Sequence, residues 1–342
     1  MKVAIVILNW NGSGMLRRFL PLLAASVEGI PAASLYVADN GSSDDSLAML
    51  ETCFPSVGRI VLSRNYGFAE GYNRALSQVE ADYYLLLNSD VAVEGHWLEP
   101  LLDYMEAHPE VAACQPKILS WHRPDEFEYA GACGGFIDGL GYPFCRGRIM
   151  GTLEKDEGQY DAAVPVFWAS GAALLVRAVD YWAAGGLDGR FFAHMEEIDL
   201  CWRLRSRGRG IACVPQSVVR HVGGGTLKKG SPGKVYLNFR NNLLMLYKNL
   251  PPNELARVMA WRCVLDYVAA LGYLVSGKTP LARSVAKARR DYARMKKEYA
   301  AIRAENLRES REASIPERYR FSILVQYYLK GRKRYSQLPK KG

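Results

Sequence analysis

Three acidic residues stand close together in LDGRFFAHMEEIDLCWRLRSRG, residues 187–208. Glu196, Glu197 and Asp199 begin a pattern that predicts a helix, whose later part carries arginines. Acid at the start and base at the end suit the helix dipole, so the cluster has an ordinary structural explanation. Two phenylalanines precede it, however, and carboxylates close together in a partly apolar setting have a raised pKa. The segment is therefore a candidate source of a general base.

A second candidate combines an acid and a histidine that could bind a metal. The segment YYLLLNSDVAVEGHWL predicts a hydrophobic strand that ends in Asn88, Ser89 and Asp90. Mg²⁺ and Mn²⁺ prefer oxygen ligands and often share them with substrate phosphates. One carboxylate is a weak signal, because Asp90 could equally cap the next turn. His221, which follows a β-like run in RHVGGGT, is the candidate for a second ligand.

Polar residues follow each of the first predicted strands. These strands are 3–8, 35–38, 59–62 and 83–87. Helices are predicted at 15–25, 45–53, 69–79 and 97–107. Such alternation predicts a parallel sheet with crossover helices, in which ligands bind beyond the carboxyl ends of the strands. The polar residues that follow the carboxyl ends of these strands, called strand exits below, would lie on one edge of the sheet. They therefore favour a ligand site there.

The strand exits suggest a ligand that carries a nucleotide. Asn9 and Asn11 lie in the first exit, NWNG, and Asp39 ends the second strand. A carboxylate there can accept hydrogen bonds from a nucleobase or a ribose hydroxyl. The glycines of RNYGFAEGYNRA allow close approach to backbone N–H groups at a helix start, which favours an anion. The GxGxxG fingerprint of dinucleotide-binding proteins is absent after the first strand.

The composition limits the class of protein. The chain has 342 residues, 49% of them hydrophobic, which suffices for one large domain or two. Its seven cysteines are scattered without a CxxC pair, which favours buried reduced thiols over a disulfide framework or metal site. The first apolar stretch is too short for a signal peptide, so we expect a cytoplasmic chain.

Positive charge is concentrated near the C-terminus. Residues 278–342 hold 19 Lys and Arg against 6 Asp and Glu, whereas the remainder holds 25 against 29. From Tyr236 onward the pattern is mostly helical. Residues 258–277 approach transmembrane length, but Arg262 and Asp266 interrupt them and favour an amphipathic or buried helix. The tail is therefore expected to meet an anionic partner.

The motifs in their order resemble those of inverting family-two glycosyltransferases of the GT-A fold, most of all the bacterial rhamnosyltransferase-like branch. The ordered set is NWNG, ADNGSSD, RNYGFAEGYNRA, LLLNSD, ASGAALLVRA, FFAHMEEIDLCWR and RHVGGGT. The resemblance implies an α/β GT-A domain over 1–250, with a Rossmann-like, mostly parallel sheet and flanking helices. It implies a nucleotide-sugar-binding half, 1–118, and an acceptor and catalytic half, 119–250. A basic helical extension, 251–342, follows.

For catalysis, the resemblance implies a single inverting displacement. Glu197 takes the position of the catalytic base, which is usually Asp in the EDxD pattern of the family. Glu196 could take its place, and Asp199 is the last acid of the pattern. The base would remove a proton from an acceptor hydroxyl as its oxygen attacks the anomeric carbon and the nucleoside diphosphate departs.

For the donor, the resemblance implies a divalent cation, Mg²⁺ or Mn²⁺. Asp90 matches the last acid of the DxD metal motif, although Asn88 stands where the family often has the first. His221 matches a later metal-binding histidine. The resemblance implies contacts to a nucleotide-diphospho-sugar from Asn9, Asn11, Asp39, Asn65, Gly67, Asn73, Asn88, Ser170 and Gly171.

The implied function is transfer of a sugar, with dTDP-rhamnose as the first expectation for the donor. The acceptor would be a glycan or a lipid-linked glycan of bacterial cell-surface polysaccharide synthesis. A basic helical face is predicted to dock the extension on the cytoplasmic membrane surface without crossing it. Its residues are Arg283, Lys287, Arg290, Arg294 and Lys297.

Two other classes of protein compete with this interpretation. A nucleic-acid-binding protein could use the basic tail, but the tail has no recognisable binding motif and the acidic strand exits would repel a polyanion. We therefore expect no nucleic-acid partner. A non-catalytic sugar-nucleotide binder is the closer alternative. Whether the chain forms a homodimer is left open by the sequence.

Overall fold

The computed structural model describes residues 1–223, 230–312 and 314–339. The strands in chain order are β1 (Val3–Asn9), β2 (Ala33–Asp39), β3 (Gly58–Val61), β4 (Tyr83–Leu87), β5 (Val91–Val93), β6 (Val111–Ser120), β7 (Gly135–Ile137), β8 (Pro143–Cys145), β9 (Arg148–Ile149), β10 (Thr152–Leu153), β11 (Val164–Pro165), β12 (Ala173–Arg177) and β13 (Gly210–His221). The helices in chain order are α1 (Ser13–Val27), α2 (Ser46–Cys53), α3 (Gly67–Leu76), α4 (Glu99–Ala107), α5 (Ala178–Ala183), α6 (Glu196–Ser206), α7 (Pro232–Asn249), α8 (Pro252–Val275), α9 (Thr279–Met295) and α10 (Ala300–Glu309).

The main sheet confirms the predicted α/β class. Its strand order is β11-β13-β6-β12-β4-β1-β2-β3, and β5 pairs with β13. Strand β1 runs parallel to β2 and β4, β2 runs parallel to β3, and β6 runs parallel to β13. The carboxyl ends of β1 to β4 therefore lie at one edge. Strand β12 is antiparallel to β4, with Ala173 opposite Leu87, so the residues before β12 reach the same edge.

Both faces of the main sheet are covered, as a parallel sheet requires. Alternate residues of β1 enter different hydrophobic clusters: Ile5 and Ile7 pack on one face, Ala4 and Val6 on the other. All five residues of β4 are buried. The continuous apolar runs of the sequence are explained by this two-sided burial.

The predicted elements are present, with bounds that differ by a few residues. The segment 120–165, predicted to be irregular with short strands, contains the small antiparallel sheet β10-β9-β8-β7. The seven cysteines are unpaired, and five are buried. The expectation of buried thiols was wrong for Cys53, which is exposed at the end of α2.

The C-terminal part is helical, as predicted, and it packs on the rest of the molecule. Helix α7 contacts α6, α8, α9 and α10. Further along, Tyr319 N donates to Ile137 O at 2.8 Å, and Gly139 N donates to Phe321 O at 3.0 Å. The chain therefore returns to the small sheet after α10. The last residues of the basic tail, 340–342, lie outside the described residues.

Candidate active site

The exits of β1 and β2 are joined by side-chain hydrogen bonds. Asn9 Nδ2 donates to Asp39 Oδ1 at 3.1 Å and to Ser42 Oγ at 3.2 Å. Ser42 N donates to Asp39 Oδ2 at 2.9 Å, and Ser43 N donates to Asn11 Oδ1 at 2.7 Å. Asn9 and Asp39 are each only 1% exposed. The two loops therefore form one fixed rim, defined here as residues 9–12 and 39–43.

One buried oxygen of the rim is left for a ligand or a water. Asn9 Oδ1 has no hydrogen-bond partner among the residues that the structure describes. Gly12 leaves the space beside it open, because a Cβ at that position would lie 2.5 Å from Asn9 Oδ1. The same Cβ would lie 3.8 Å from Ser89 Oγ, so the exits of β1 and β4 are neighbours. Buried acceptors are seldom left unpaired, which marks this oxygen as a candidate contact.

The exit of β3 is tied to that of β2 through Asn40. Asn40 Nδ2 donates to Asn65 Oδ1 at 3.2 Å and to Gly67 O at 3.0 Å. Tyr66 N donates back to Asn40 Oδ1 at 3.0 Å. Gly67 has φ +81°, and a Cβ there would lie 2.5 Å from the ring of Phe192. Gly67 is thus required for packing of the loop before α6 against α3.

Two expectations for α3 are corrected by the structure. Its first amides are not free for an anion, because Phe192 O accepts from Phe68 N at 2.5 Å and from Ala69 N at 3.3 Å. Asn73 donates to Leu187 O at 2.7 Å, and its Oδ1 accepts from Tyr181 OH at 2.6 Å. Both polar atoms of Asn73 therefore support the fold and are not placed to contact a donor.

Asp90 and His221 lie side by side although 131 residues separate them. Strand β5 runs antiparallel to β13 and sets His221 opposite Val91. His221 Nε2 lies 3.0 Å from Asp90 Oδ1 and 3.4 Å from Asn88 Nδ2. Asp90 and His221 are buried, at 6% and 5% exposure. The predicted pair of ligands is thus brought together at the exit of β4.

Glu128 joins this pair and was missed by sequence reasoning. Its Oε2 lies 3.4 Å from His221 Nδ1. Burial alone would lower the pKa of His221, but the hydrogen bond with Asp90 and the charges of Asp90 and Glu128 outweigh it and raise the pKa to about 10. Glu128 lies in the irregular segment after β6, where no motif distinguishes it.

The residues present fit a divalent cation that shares its shell with a substrate. Asp90 Oδ1 and His221 Nε2 are 3.0 Å apart. Adjacent ligands of an octahedral ion with bonds of about 2.0–2.1 Å lie about 3 Å apart. Within 1–223, 230–312 and 314–339, no three His, Cys, Asp or Glu form a group that could hold a metal by itself. Phosphate oxygens and water would complete the shell. The rest of RHVGGGT, 224–226, lies outside the described residues.

Glu196 and Glu197 open α6 with raised proton affinity. Glu196 is 4% exposed, whereas Glu197 is half-buried. The Oε2 atom of each has no hydrogen-bond partner in the described part of the chain. Burial, and next the charge of Glu197, raise the pKa of Glu196 well above its ordinary value. Burial also raises the pKa of Glu197, to about 7. A carboxylate of that kind suits a general base at neutral pH.

Glu197 faces the segment that precedes β12. A Cβ on Gly171 would lie 3.7 Å from Glu197 Cβ and 3.3 Å from the ring of Phe68. One residue further, Ala172 O accepts from Asn88 N at 3.0 Å. Glu197 and the Asp90–His221 pair therefore lie on the same edge of the sheet, with residues 171 and 172 between them.

Ser170 is used within the protein, which corrects its assignment as a donor contact. It is 2% exposed. Ser170 N donates to Gln115 Oε1 at 2.9 Å, and Ser170 Oγ donates to Ala130 O at 2.8 Å. These bonds place Gly171 next to Glu197. Ser170 therefore positions the segment.

Asp199 is structural, which corrects its assignment as a catalytic acid. It is fully buried and lies 2.8 Å from Lys248 Nζ and 3.0 Å from Arg203 Nε. Burial would raise the pKa of Asp199, but these two cations and the hydrogen bond from Asn249 lower it. The carboxylate is thus held ionised and paired. Asp199 anchors α6 to α7.

The loop before α6 is strained and held by α7. Phe192, His194 and Met195 have φ of 67°, 71° and 74°. Such angles cost about 1–3 kcal/mol per non-glycine residue and persist only where the surroundings enforce them. Asn241 Nδ2 lies 2.8–2.9 Å from three carbonyl oxygens of the loop. Asn241 was missed because nothing local to α7 in the sequence points to the loop.

Comparison with known proteins agrees with the family resemblance of the motif order. Residues 4–130 match the family described as Glycosyl transferase family 2. N-acetylglucosaminyl-diphospho-decaprenol L-rhamnosyltransferase of Mycobacterium tuberculosis (strain H37Rv) is 29% identical over 235 residues, 64% of this chain and 75% of the relative. Rhamnosyltransferase WbbL of Escherichia coli (strain K12) is 26% identical over 225 residues, 62% of this chain and 80% of the relative.

Solved structures share the fold at low identity. A mannosyltransferase, PcManGT from Pyrobaculum calidifontis, in complex with GDP-Man and Mn²⁺, has a TM-score of 0.53 at 11% identity and covers 90% of this chain and 85% of its own. GalNAc-T7 with UDP, GalNAc and Mn²⁺ has a TM-score of 0.56 at 13% identity, with coverage of 72% and 48%. The chain is therefore a glycosyltransferase of the GT-A fold that carries a glycosyl transferase family 2 domain at residues 4–130.

Proposed function

We propose that this glycosyltransferase is an inverting, divalent-cation-dependent hexosyltransferase of bacterial cell-surface polysaccharide synthesis. The observation that carries the proposal is the position of Glu197 and of the Asp90–His221 pair on one edge of the sheet, with 171 and 172 between them. Relatives named as rhamnosyltransferases support rhamnose as the sugar, and a relative named as an O-antigen biosynthesis protein supports the polysaccharide. The acceptor is a hydroxyl of a glycan or a lipid-linked glycan.

The rim binds the nucleotide of the donor. Asn9 offers its unpaired Oδ1 to an N–H or O–H of the ligand. Asp39 uses both oxygens within the rim, but a carboxylate has about four acceptor positions and can take further hydrogen bonds. Asn11, Asn65 and Gly67 hold the loops that border this position. When bound by Asp90 and His221, a divalent cation would neutralise the charge of the departing diphosphate.

Glu197 acts as the general base. It takes the proton from the acceptor hydroxyl while the acceptor oxygen forms a bond to the anomeric carbon. The bond between that carbon and the diphosphate oxygen breaks on the opposite face, so the configuration inverts. Glu196, which is more deeply buried and has the higher proton affinity, keeps its proton and leaves Glu197 as the ionised member of the pair.

The remaining parts of the proposal concern the organisation of the chain and its location. We assign residues 1–118 to the donor, 119–250 to the acceptor and catalysis, and 251–342 to the extension. The extension docks on the cytoplasmic face of the membrane. Support comes from the basic face of α9, where Arg283, Lys287, Arg290 and Arg294 are exposed. Light scattering of the purified chain measures whether two copies associate.

A screen of nucleotide sugars tests the proposed function. Thermal shift of the purified chain with several donors, each with and without Mg²⁺ or Mn²⁺, should single out dTDP-rhamnose in the presence of metal. Turnover is then followed as release of nucleoside diphosphate upon addition of an N-acetylglucosaminyl-diphospho-lipid acceptor, the type named in a relative. Donor binding without turnover on any acceptor would instead support a non-catalytic sugar-nucleotide binder.

A further inference from the structure

Helix α8 carries its charged side chains inward and its apolar side chains outward. Arg262 and Asp266 are 2% and 0% exposed. Between 260 and 275, all of which the structure describes, no exposed residue is charged. The exposed residues of this range form the α8 apolar stripe: Ala260, Trp261, Val264, Tyr267, Val268, Leu271, Gly272, Leu274 and Val275. Its larger side chains are 50–83% exposed.

The buried charges show why α8 lies along the protein. Asp266 Oδ2 accepts from Arg289 Nη1 of α9 at 2.6 Å, and Asp266 Oδ1 accepts from Arg262 Nη2 at 3.3 Å. Arg262 also donates to Asn242 of α7 and to Leu140 O. By length and composition α8 could cross a membrane. If α8 crossed a membrane, Arg262 and Asp266 would lose their partners on α7 and α9 inside the bilayer, which is costly.

The surroundings of the stripe match an anionic, partly apolar surface. Arg257 is exposed before the stripe and Lys278 after it. Tryptophan and tyrosine within the stripe are residue types that favour the membrane–water boundary. Cations at the ends and an uninterrupted apolar face are the pattern of a helix that lies in that boundary. A contiguous exposed apolar patch of this kind marks an interaction surface.

A second exposed apolar group lies in the turn at 325–329 of the extension. Tyr328 and Leu329 are 67% and 80% exposed, and Lys330, Lys333 and Arg334 follow them in exposed positions. The turn at 325–329 therefore has the same composition as the stripe and its ends, with exposed apolar side chains beside cations.

We propose that the α8 apolar stripe inserts into the headgroup boundary of an anionic lipid bilayer, with the helix axis along the membrane plane. The proposal rests on the proposed function, in which a lipid-linked acceptor is presented at the membrane. It adds an apolar component to the electrostatic docking by α9. A second copy of the chain is the less favourable occupant, because facing stripes would bring together two segments that each carry 19 basic and 6 acidic residues.

Vesicle flotation of the full chain, without donor or acceptor, tests the proposal. Vesicles of phosphatidylcholine are compared with vesicles that also contain phosphatidylglycerol. The chain should float with the anionic vesicles and keep part of its binding at high salt, since salt screens charge but not apolar contact. The variant Val268→Gln/Leu271→Gln should bind at least about tenfold more weakly, because membrane binding scales with the apolar area that is buried. Its residual binding should be lost at high salt.

A matched control changes apolar residues that are equally exposed elsewhere. Leu22→Gln/Val179→Gln alters side chains that are 51% and 72% exposed on α1 and α5. It should float like the unaltered chain. Brominated lipids should quench tryptophan fluorescence in the unaltered chain and do so less in Trp261→Phe. Equal flotation of the stripe variant and the control would overturn the proposal.

Two further outcomes separate this proposal from others. If the unaltered chain does not float, and light scattering shows a dimer that the stripe variant converts to a monomer, the occupant is a second copy and the proposal is wrong. Donor binding by thermal shift is measured for the same variants. Flotation that depends on the stripe in a chain that binds no nucleotide sugar would uphold the membrane surface while contradicting the proposed function.

Discussion

Glu196 and Glu197 are neighbours in the first turn of α6, yet their surroundings separate them. Glu196 is buried, whereas Glu197 is half-buried beside Gly171. The sequence could place both residues in the first turn of one helix. It could not show which of them is more deeply buried, because that depends on the segment before β12. The same holds for Asp199, whose partner Lys248 lies 49 residues away.

The pH dependence of transfer follows from the raised pKa of Glu197. A general base must be ionised, so the rate should fall as the pH drops below about 7, where this carboxyl takes up a proton. We expect kcat for transfer to rise through the neutral range and level off above it. The measurement is a pH profile with saturating donor and acceptor. A rate that stays constant from mildly acidic to mildly alkaline pH would argue against Glu197 as the base.

Stability should change with pH in the opposite sense. The folded-state pKa of Glu197 lies above its unfolded value, so its contribution to stability is full below the unfolded pKa. That contribution is lost as the pH rises through the folded pKa. Glu197→Gln removes this loss and should raise the free energy of unfolding at alkaline pH by about 1–3 kcal/mol, since one pKa unit is about 1.4 kcal/mol. At acidic pH the gain should vanish. Urea unfolding at both pH values measures it, and an equal effect at both would contradict the assignment.

Asp90→Ala should abolish stimulation of donor binding and turnover by metal. The substitution removes a carboxylate that lies 3.0 Å from His221 and leaves too few ligands for a cation. Donor thermal shift with and without Mn²⁺ is the measurement, and circular dichroism checks the fold. Glu94→Ala is the control, because Glu94 follows β5 but its exposed carboxylate pairs with Arg220. Full activity of Asp90→Ala, or of the unaltered chain in excess chelator, would contradict a role for a metal ion.

At the scale of elements, the strand exits could be predicted because each follows a continuous apolar run. What could not be predicted is how elements distant in sequence use one another's polar groups. The first amides of α3 bind the carbonyl of Phe192, and α7 holds the strained loop through Asn241. Glu128 was missed for the same reason, since its partner His221 lies at the far end of β13.

Asn241 is a positioning residue, and its replacement tests the role of α7. Asn241→Ala should lower transfer by about 10-fold or more while donor affinity is kept, since small displacements of catalytic groups cost rate. The relaxed loop should admit water, so the apparent pKa of the pH–rate profile should move down toward that of an ordinary carboxyl. Asn238→Ala, which loses only a bond to Lys234 O within α7, is the control. If Asn241→Ala lowers stability but leaves the pH profile and the rate per folded molecule unchanged, the role of Asn241 is only structural.

At the scale of the whole molecule, the rim, the start of α6 and the helical extension belong to one fold, in which α7 packs against α6, α8, α9 and α10. The motif order predicted the rim and the start of α6, because local patterns of strand, turn and helix carry them. For α8 the sequence predicted an amphipathic or buried helix, but not which side would be apolar. Its charged side chains point inward because Asp266 pairs with Arg289 and Arg262 donates to Asn242. The apolar stripe is thus a property of the assembled fold.

The central claim is sugar transfer with Glu197 as the base, and Glu197→Gln tests it most directly. The change is nearly isosteric and removes the basic form. Donor binding is measured by thermal shift and transfer by release of nucleoside diphosphate, in parallel with Glu196→Gln. We predict that Glu197→Gln keeps its donor affinity and loses transfer by roughly 100-fold or more, the range of general-base catalysis. Near-normal transfer by Glu197→Gln, with Glu196→Gln as the crippled variant, would contradict the account.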